Sequence, residues 1–137
     1  MDGKIALPIT SLYGGLLGGA FLWMSLRVAN FRRGNKISIG TGGNKQFEHL
    51  MRGHGNFVEY TPFFMMLLVI AEVDGFAGNW LYVLGGLFSL GRLLHAAFFF
   101  FRAPMFCRFY GMIATLLPTS ILSALLVFRG VMGGSHS

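Results

Sequence analysis

The segment Arg52-Gly53-His54-Gly55-Asn56-Phe57-Val58-Glu59-Tyr60-Thr61-Pro62 holds the densest set of groups able to do chemistry. Arg52, Asn56 and Glu59 are spaced four and then three apart, which stacks them on one face over about two turns of a helix. Arg92, His95 and Phe99 are spaced three and then four apart and also share a face. A charge at membrane depth is costly, so each face must address protein, water or a ligand. Two readings stand side by side. In one, Glu59 and Arg92 form a buried ion pair and Asn56 and His95 hydrogen-bond, holding two helices together. In the other, the arginines and their polar neighbours take an anionic small molecule. Arg52 also lies four residues from Glu48, the spacing of an ordinary helix-surface pair. His49 and His54 are five apart, which turns them away from each other, so no metal site is expected.

These residues must be carried by membrane helices. Apolar residues make up 54% of the 137-residue chain and charged residues 12%, and the mean hydropathy is +0.62. Soluble domains carry roughly a quarter charged residues. A spanning helix needs about 20 mostly apolar residues, so the length leaves room for about four. The expectation is one all-α domain over residues 1–137, a four-transmembrane-helix bundle with spans at about 5–29, 47–73, 80–101 and 106–128. Pro8 falls in the first turn of the first span, where a missing N–H is tolerated. That span has no strongly basic start and is long enough to cross, so it reads as a membrane helix and not as a cleaved signal. Gly14, Gly15, Gly18 and Gly19 make two overlapping G-x-x-x-G pairs, a spacing that suits close helix packing. Pro62 is expected to kink the second span. Thr41 to Asn44 reads as a turn, Glu72 and Asp74 as a short acidic loop, and the tail from Gly130 as disordered.

The net charge is +6, with an isoelectric point near 10.1. In a soluble protein that balance would suggest nucleic acid. Here the basic residues sit mostly at helix ends, and no aromatic-basic platform lies outside the spans, so lipid headgroups are the expected partners. Arg27, Arg32, Arg33, Lys36, Lys45, Arg102 and Arg108 fall on one side, against Lys4 and Arg129 on the other. The positive-inside rule then puts the basic loops in the cytoplasm and both termini outside. A channel or transporter would want a polar ladder through the bilayer or paired broken helices, and neither is present. The single cysteine, Cys107, has no internal disulfide partner.

The string Arg52-x-x-x-Asn56-x-x-Glu59-x-x-Pro62, early in the second of four membrane helices, resembles the signature of the MAPEG family. These are the membrane-associated proteins of eicosanoid and glutathione metabolism. Gly91-Arg92-x-x-His95, Arg102-Ala103-Pro104, Arg108 and Leu117-Pro118 extend the resemblance over essentially the whole chain. The fuller pattern is most similar to the short bacterial branch of YecN-like membrane proteins, which places the chain in a bacterial inner membrane.

The resemblance implies a homotrimer of four-helix bundles with glutathione as co-substrate, bound between adjacent subunits near the cytoplasmic helix ends. Glutathione carries two carboxylates, one ammonium and one thiol. Arg52 and Arg92 suit the carboxylates, Glu59 the ammonium, and Asn56 can donate and accept. His54 falls where family enzymes often have glutamine, and Tyr60 follows the glutamate as it does in them; His95 completes the binding set. A fixed cation beside the thiol favours the thiolate, the nucleophile. Arg108 takes that place by ungapped counting and Arg102 by alignment on the R-A-P string, with Arg32 or Arg33 as a second charge. The implied activity is a glutathione-dependent transfer to an apolar electrophile, or reduction of a lipid hydroperoxide. The alternative is a non-catalytic membrane protein that keeps the polar face for structure or for another anion. His95 and Phe99 stand where several eukaryotic members carry tyrosines, and each change removes a hydroxyl from the site.

Overall fold

The computed structural model describes residues 5–133. They form four helices: α1 (Pro8–Gly34), α2 (Lys45–Val73), α3 (Gly78–Phe101) and α4 (Met105–Gly133). Each is long and apolar enough to cross a membrane, and no strand occurs among the described residues. The chain is therefore the expected all-α four-helix membrane protein. Leu12, Leu16, Leu22, Val83, Leu93 and Leu116 are exposed on its flanks, the outward apolar surface that lipid, not water, would cover.

α2 and α3 form the middle of the bundle. α1 packs against both on one side, α4 packs against both on the other, and α1 and α4 do not meet. α1 turns Ile9, Leu17 and Met24 inward, eight and seven residues apart and so on one helical face. The rings of Phe64 on α2 and Phe88 on α3 stack at 3.9 Å. Near the basic end, Phe31 on α1 stacks on Phe47 at the start of α2 at 4.9 Å.

The tightest helix pair is α3 with α4, and glycine is the reason. A Cβ on Gly91 would stand 2.8 Å from the Gly111 carbonyl oxygen, and one on Gly111 2.7 Å from the His95 backbone nitrogen. No side chain fits between these backbones. The G-x-x-x-G pairs of α1 play no such part within the protomer, since a Cβ on Gly15, Gly18 or Gly19 would meet nothing within 4 Å.

Several boundaries differ from the expected ones. α1 continues through Arg32 and Arg33 into its last turn, where cations oppose the helix dipole favourably. Asn44 ends the expected turn by capping α2, its side chain accepting from Phe47 N at 3.0 Å. Pro62 falls inside α2, as expected of the second span. Glu72 is not a loop residue; it lies in the last turn of α2 and clasps the start of α1. Its carboxylate accepts from Ile9 N at 2.9 Å, Thr10 N at 2.8 Å and Thr10 Oγ1 at 2.6 Å. These amides belong to the first turn of α1, where helical partners are lacking. α4 extends through Gly133, past the point where disorder was expected. Lys4 and residues 134–137 lie outside the described residues.

Candidate functional site

The α2–α3 seam positions the site. Gly53 lets α3 lie directly on α2, because a Cβ there would be 2.5 Å from the Phe99 Cβ. This contact brings the Arg52–Asn56–Glu59 face alongside His95 and Phe99. At the basic end of the bundle the two helices and the start of α4 border an open cavity of about 480 Å³. Arg52, Asn56 and Glu59 line it from α2, His95 and Phe99 from α3, and Arg108 from α4. The α2 and α3 faces read from helical spacing thus meet in one place.

The electrostatics are mixed. Arg108 holds its guanidinium 5.7 Å from the ring centres of both Phe98 and Phe99. Arg52 lies 3.8 Å from Glu48, with both side chains more than half exposed. An open pair of that kind contributes little and leaves the guanidinium free to meet a ligand. Glu59 is exposed beside them and has no cation within ion-pair distance among the described residues.

Behind this cavity sits Arg92, which is 1% exposed. Its Nη1 donates to Asn56 Oδ1 at 2.6 Å and its Nε to Thr115 Oγ1 at 2.8 Å. Nη2 reaches Met112 Sδ at 3.7 Å, and the guanidinium lies 5.1 Å from the Tyr60 ring centre. Thr115 passes the chain on by donating to the Gly111 carbonyl at 2.8 Å. A buried charge is tolerated only when its donors are satisfied, and α2 and α4 supply that from both sides. The expected Glu59–Arg92 ion pair does not form, nor does an Asn56–His95 hydrogen bond. Asn56 and Tyr60 are four apart and form the seam that faces Arg92. Glu59 is rotated about 60° from Asn56, toward Arg52.

Comparison with known proteins agrees with this architecture. The family model of the MAPEG family matches residues 10–128. The chain belongs to the MAPEG family. It is 32% identical over 88 residues to "Inner membrane protein YecN" of Escherichia coli strain K12, and equally to the protein of that name from Escherichia coli O6:H1. The aligned region is 64% of this chain and spans 66% of each relative, just under two thirds of their length.

In this MAPEG protein the other predicted site residues do not line the cavity. His54 faces α1, with Nε2 2.9 Å from Ser25 Oγ and its ring 5.6 Å from that of Phe21. Arg32 donates to the Gly40 carbonyl at 3.0 Å and lies over the Phe47 ring at 4.8 Å, tying the α1–α2 loop to the bundle. Arg102 caps α3 in the left-handed conformation, φ 54°, and lines a different cavity between α1, α2 and α3. Tyr60 and Arg92 stand behind the lining as described.

Sequence reasoning missed Thr41, Met51 and Gly55, which also line the cavity, and Thr115, which holds Arg92. Thr41 stood in a stretch legible only as a turn. Thr115 left no trace beyond being one of several polar residues in an apolar span.

Proposed function

We propose that the α2–α3–α4 cavity binds glutathione and that the protein is a membrane glutathione-dependent transferase or peroxidase. The observation that carries this reading is the convergence of Arg52, Asn56, Glu59, His95 and Arg108 in one cavity at the basic end of the bundle. Family membership supplies the ligand class. The residues fit it: Arg52 for a carboxylate, Arg108 for the thiolate, Glu59 for the ammonium, and Asn56 as an oriented amide.

Bound glutathione supplies a thiolate for attack on an apolar electrophile or a lipid hydroperoxide. Arg52, with only a loose partner in Glu48, offers paired N–H donors to a carboxylate. Glu59 accepts from the ammonium. Arg108, at the start of α4, places the fixed charge that favours the thiolate. Arg92 acts as a positioning residue: it fixes Asn56 Oδ1, so the Asn56 amide nitrogen is presented outward. Arg32 abuts the cavity through Met51, its Nη2 3.5 Å from the Met51 sulfur, whereas His54, which faces α1, reaches a site only where a neighbouring subunit of the homotrimer that the family implies brings one to it. The same reading puts the protein in a bacterial inner membrane, with its basic loops in the cytoplasm and its termini outside.

A second reading is favoured by Arg92 and Phe99. All the polar contacts of Arg92 are internal, and Phe99 brings no hydroxyl to the cavity, so the polar face would serve as interhelical glue in a non-catalytic protein. Calorimetry on the detergent-purified protein separates the two. Glutathione binding that Arg52→Ala abolishes supports the enzyme. A well-folded wild type that shows no binding rejects it.

A further inference from the structure

The second cavity at the basic end has a different composition. It encloses about 580 Å³ between the end of α1, the start of α2 and the end of α3. Three cations line it, Arg27, Lys45 and Arg102, and no aspartate or glutamate does. None of the three is in an ion pair among the described residues. Asn30 and Gln46 add neutral polar groups, and Phe100 is part of an apolar floor.

Two further features mark it as built for an anion. Lys45 and Gln46 are the first residues of α2, past the Asn44 cap, where helix amides lack helical partners and the dipole favours negative charge. Arg102 occupies a left-handed position that glycine usually fills at a helix end. A non-glycine residue is strained there, so the chain keeps the arginine side chain at a cost in backbone energy. The cavity also lies among the ends of α1 and α3 and the start of α2, on the side where the basic residues gather. Trp23, the kind of residue that anchors at the membrane interface, stacks on Phe101 at 5.4 Å and lies 5.6 Å from the Arg27 guanidinium.

We propose that this cavity is a site for a phosphate-bearing anion, occupied by the headgroup of an acidic membrane phospholipid. The three cations take the phosphate, and the apolar floor takes the start of an acyl chain. A basic pocket between membrane helices is the arrangement that recognises such headgroups. The site shares no cation with the α2–α3–α4 cavity, so the proposal does not depend on glutathione binding there.

The test is native mass spectrometry of the detergent-purified protein titrated with phosphatidylglycerol, phosphatidylethanolamine and, separately, inorganic phosphate. The wild type is expected to retain phosphatidylglycerol in preference to phosphatidylethanolamine. The triple variant Arg27→Gln/Lys45→Gln/Arg102→Gln should lose that preference, with roughly fivefold weaker retention for each charge removed. A charge-matched variant, Arg33→Gln/Lys36→Gln/Arg129→Gln, removes three cations outside the cavity and should keep it. Equal loss in both variants would overturn the proposal in favour of general surface attraction. Phosphate retention without any preference between the lipids would overturn it in favour of a soluble phosphate compound. If the triple variant does not fold, Lys45→Gln alone decides: unchanged selectivity would reject the site.

Discussion

Arg92 Nη1 donates to Asn56 Oδ1 at 2.6 Å, across the seam between α3 and α2. One bond therefore joins the two residues that the spacing placed on separate polar faces. It also orders them by depth, because Asn56 lines the cavity while Arg92 is buried behind it. The guanidinium is held on its other side by Thr115 on α4. Three helices thus meet on one cation, and the cavity wall inherits its shape from that junction.

The strength of the junction is open to measurement. Removing Asn56 leaves a buried guanidinium N–H unpaired. A double-mutant cycle of Asn56→Ala and Arg92→Met, read by reversible denaturation in mixed micelles, should give a coupling of about 1.5–3 kcal/mol, as for hydrogen bonds to charged groups. Contacting residues couple in this way and distant ones do not. A coupling near zero would mean the bond does not contribute to the folded state.

Much of this architecture was legible beforehand, and the limits have physical causes. Long uncharged runs reveal spans because the bilayer demands them. A spacing of three and four reveals a face, so Arg52, Asn56 and Glu59 were placed together, as were His95 and Phe99. Spacing does not say which residue of a face meets which neighbour. Glu59 was the electrostatic choice for Arg92, but about 60° of helical rotation put Asn56 there instead. Glycine misled for a similar reason. Of the repeated pairs of α1, Gly15, Gly18 and Gly19 have open space around them and Gly14 meets only the end of Met65, whereas Gly91 and Gly111 lie directly against the backbone of the facing helix. Glu72 looked like a loop acid because its partners are backbone amides more than 60 residues earlier.

The glycine contrast gives a direct stability comparison. Gly91→Ala and Gly111→Ala should each cost about 1–3 kcal/mol, because the added methyl meets backbone that has no room to yield. Gly18→Ala should leave the protomer as stable or more so, since alanine is about 1 kcal/mol better than glycine in a helix. Thermal unfolding in detergent with circular dichroism is the readout. Similar losses at Gly18 and Gly111 would contradict the packing described.

The Glu72 clasp predicts a local effect. Glu72→Ala removes three hydrogen bonds from the first turn of α1 and should cost about 2 kcal/mol, the upper end of the range for helix caps. The damage should be confined to the beginning of α1. Amide exchange at Ile9 and Thr10 should quicken by on the order of tenfold or more, with the exchange of α3 unchanged. Protection at Ile9 and Thr10 that survives the substitution would show that the carboxylate is dispensable.

Arg102 and Arg108 are separable by the same logic of place. Arg108 lines the cavity with Arg52 and Glu59, and Arg102 lines the other one. If glutathione occupies the first, its thiol lies nearer the Arg108 charge, and opposite charges within a few ångströms move a pKa by about one to three units. Arg108→Ala should therefore raise the pKa of bound glutathione, followed by the ultraviolet absorbance of the thiolate as pH is raised. Below the raised pKa the thiolate signal is lost, and it returns above it, so the variant should need more alkaline solution for the same signal. Binding through Arg52 should persist, which separates a charge effect from a lost site. Arg102→Ala should titrate like the wild type. The reverse pattern, with Arg102→Ala moving the titration and Arg108→Ala leaving it in place, would transfer the thiol to the α1–α2–α3 cavity and exclude the assignment made here.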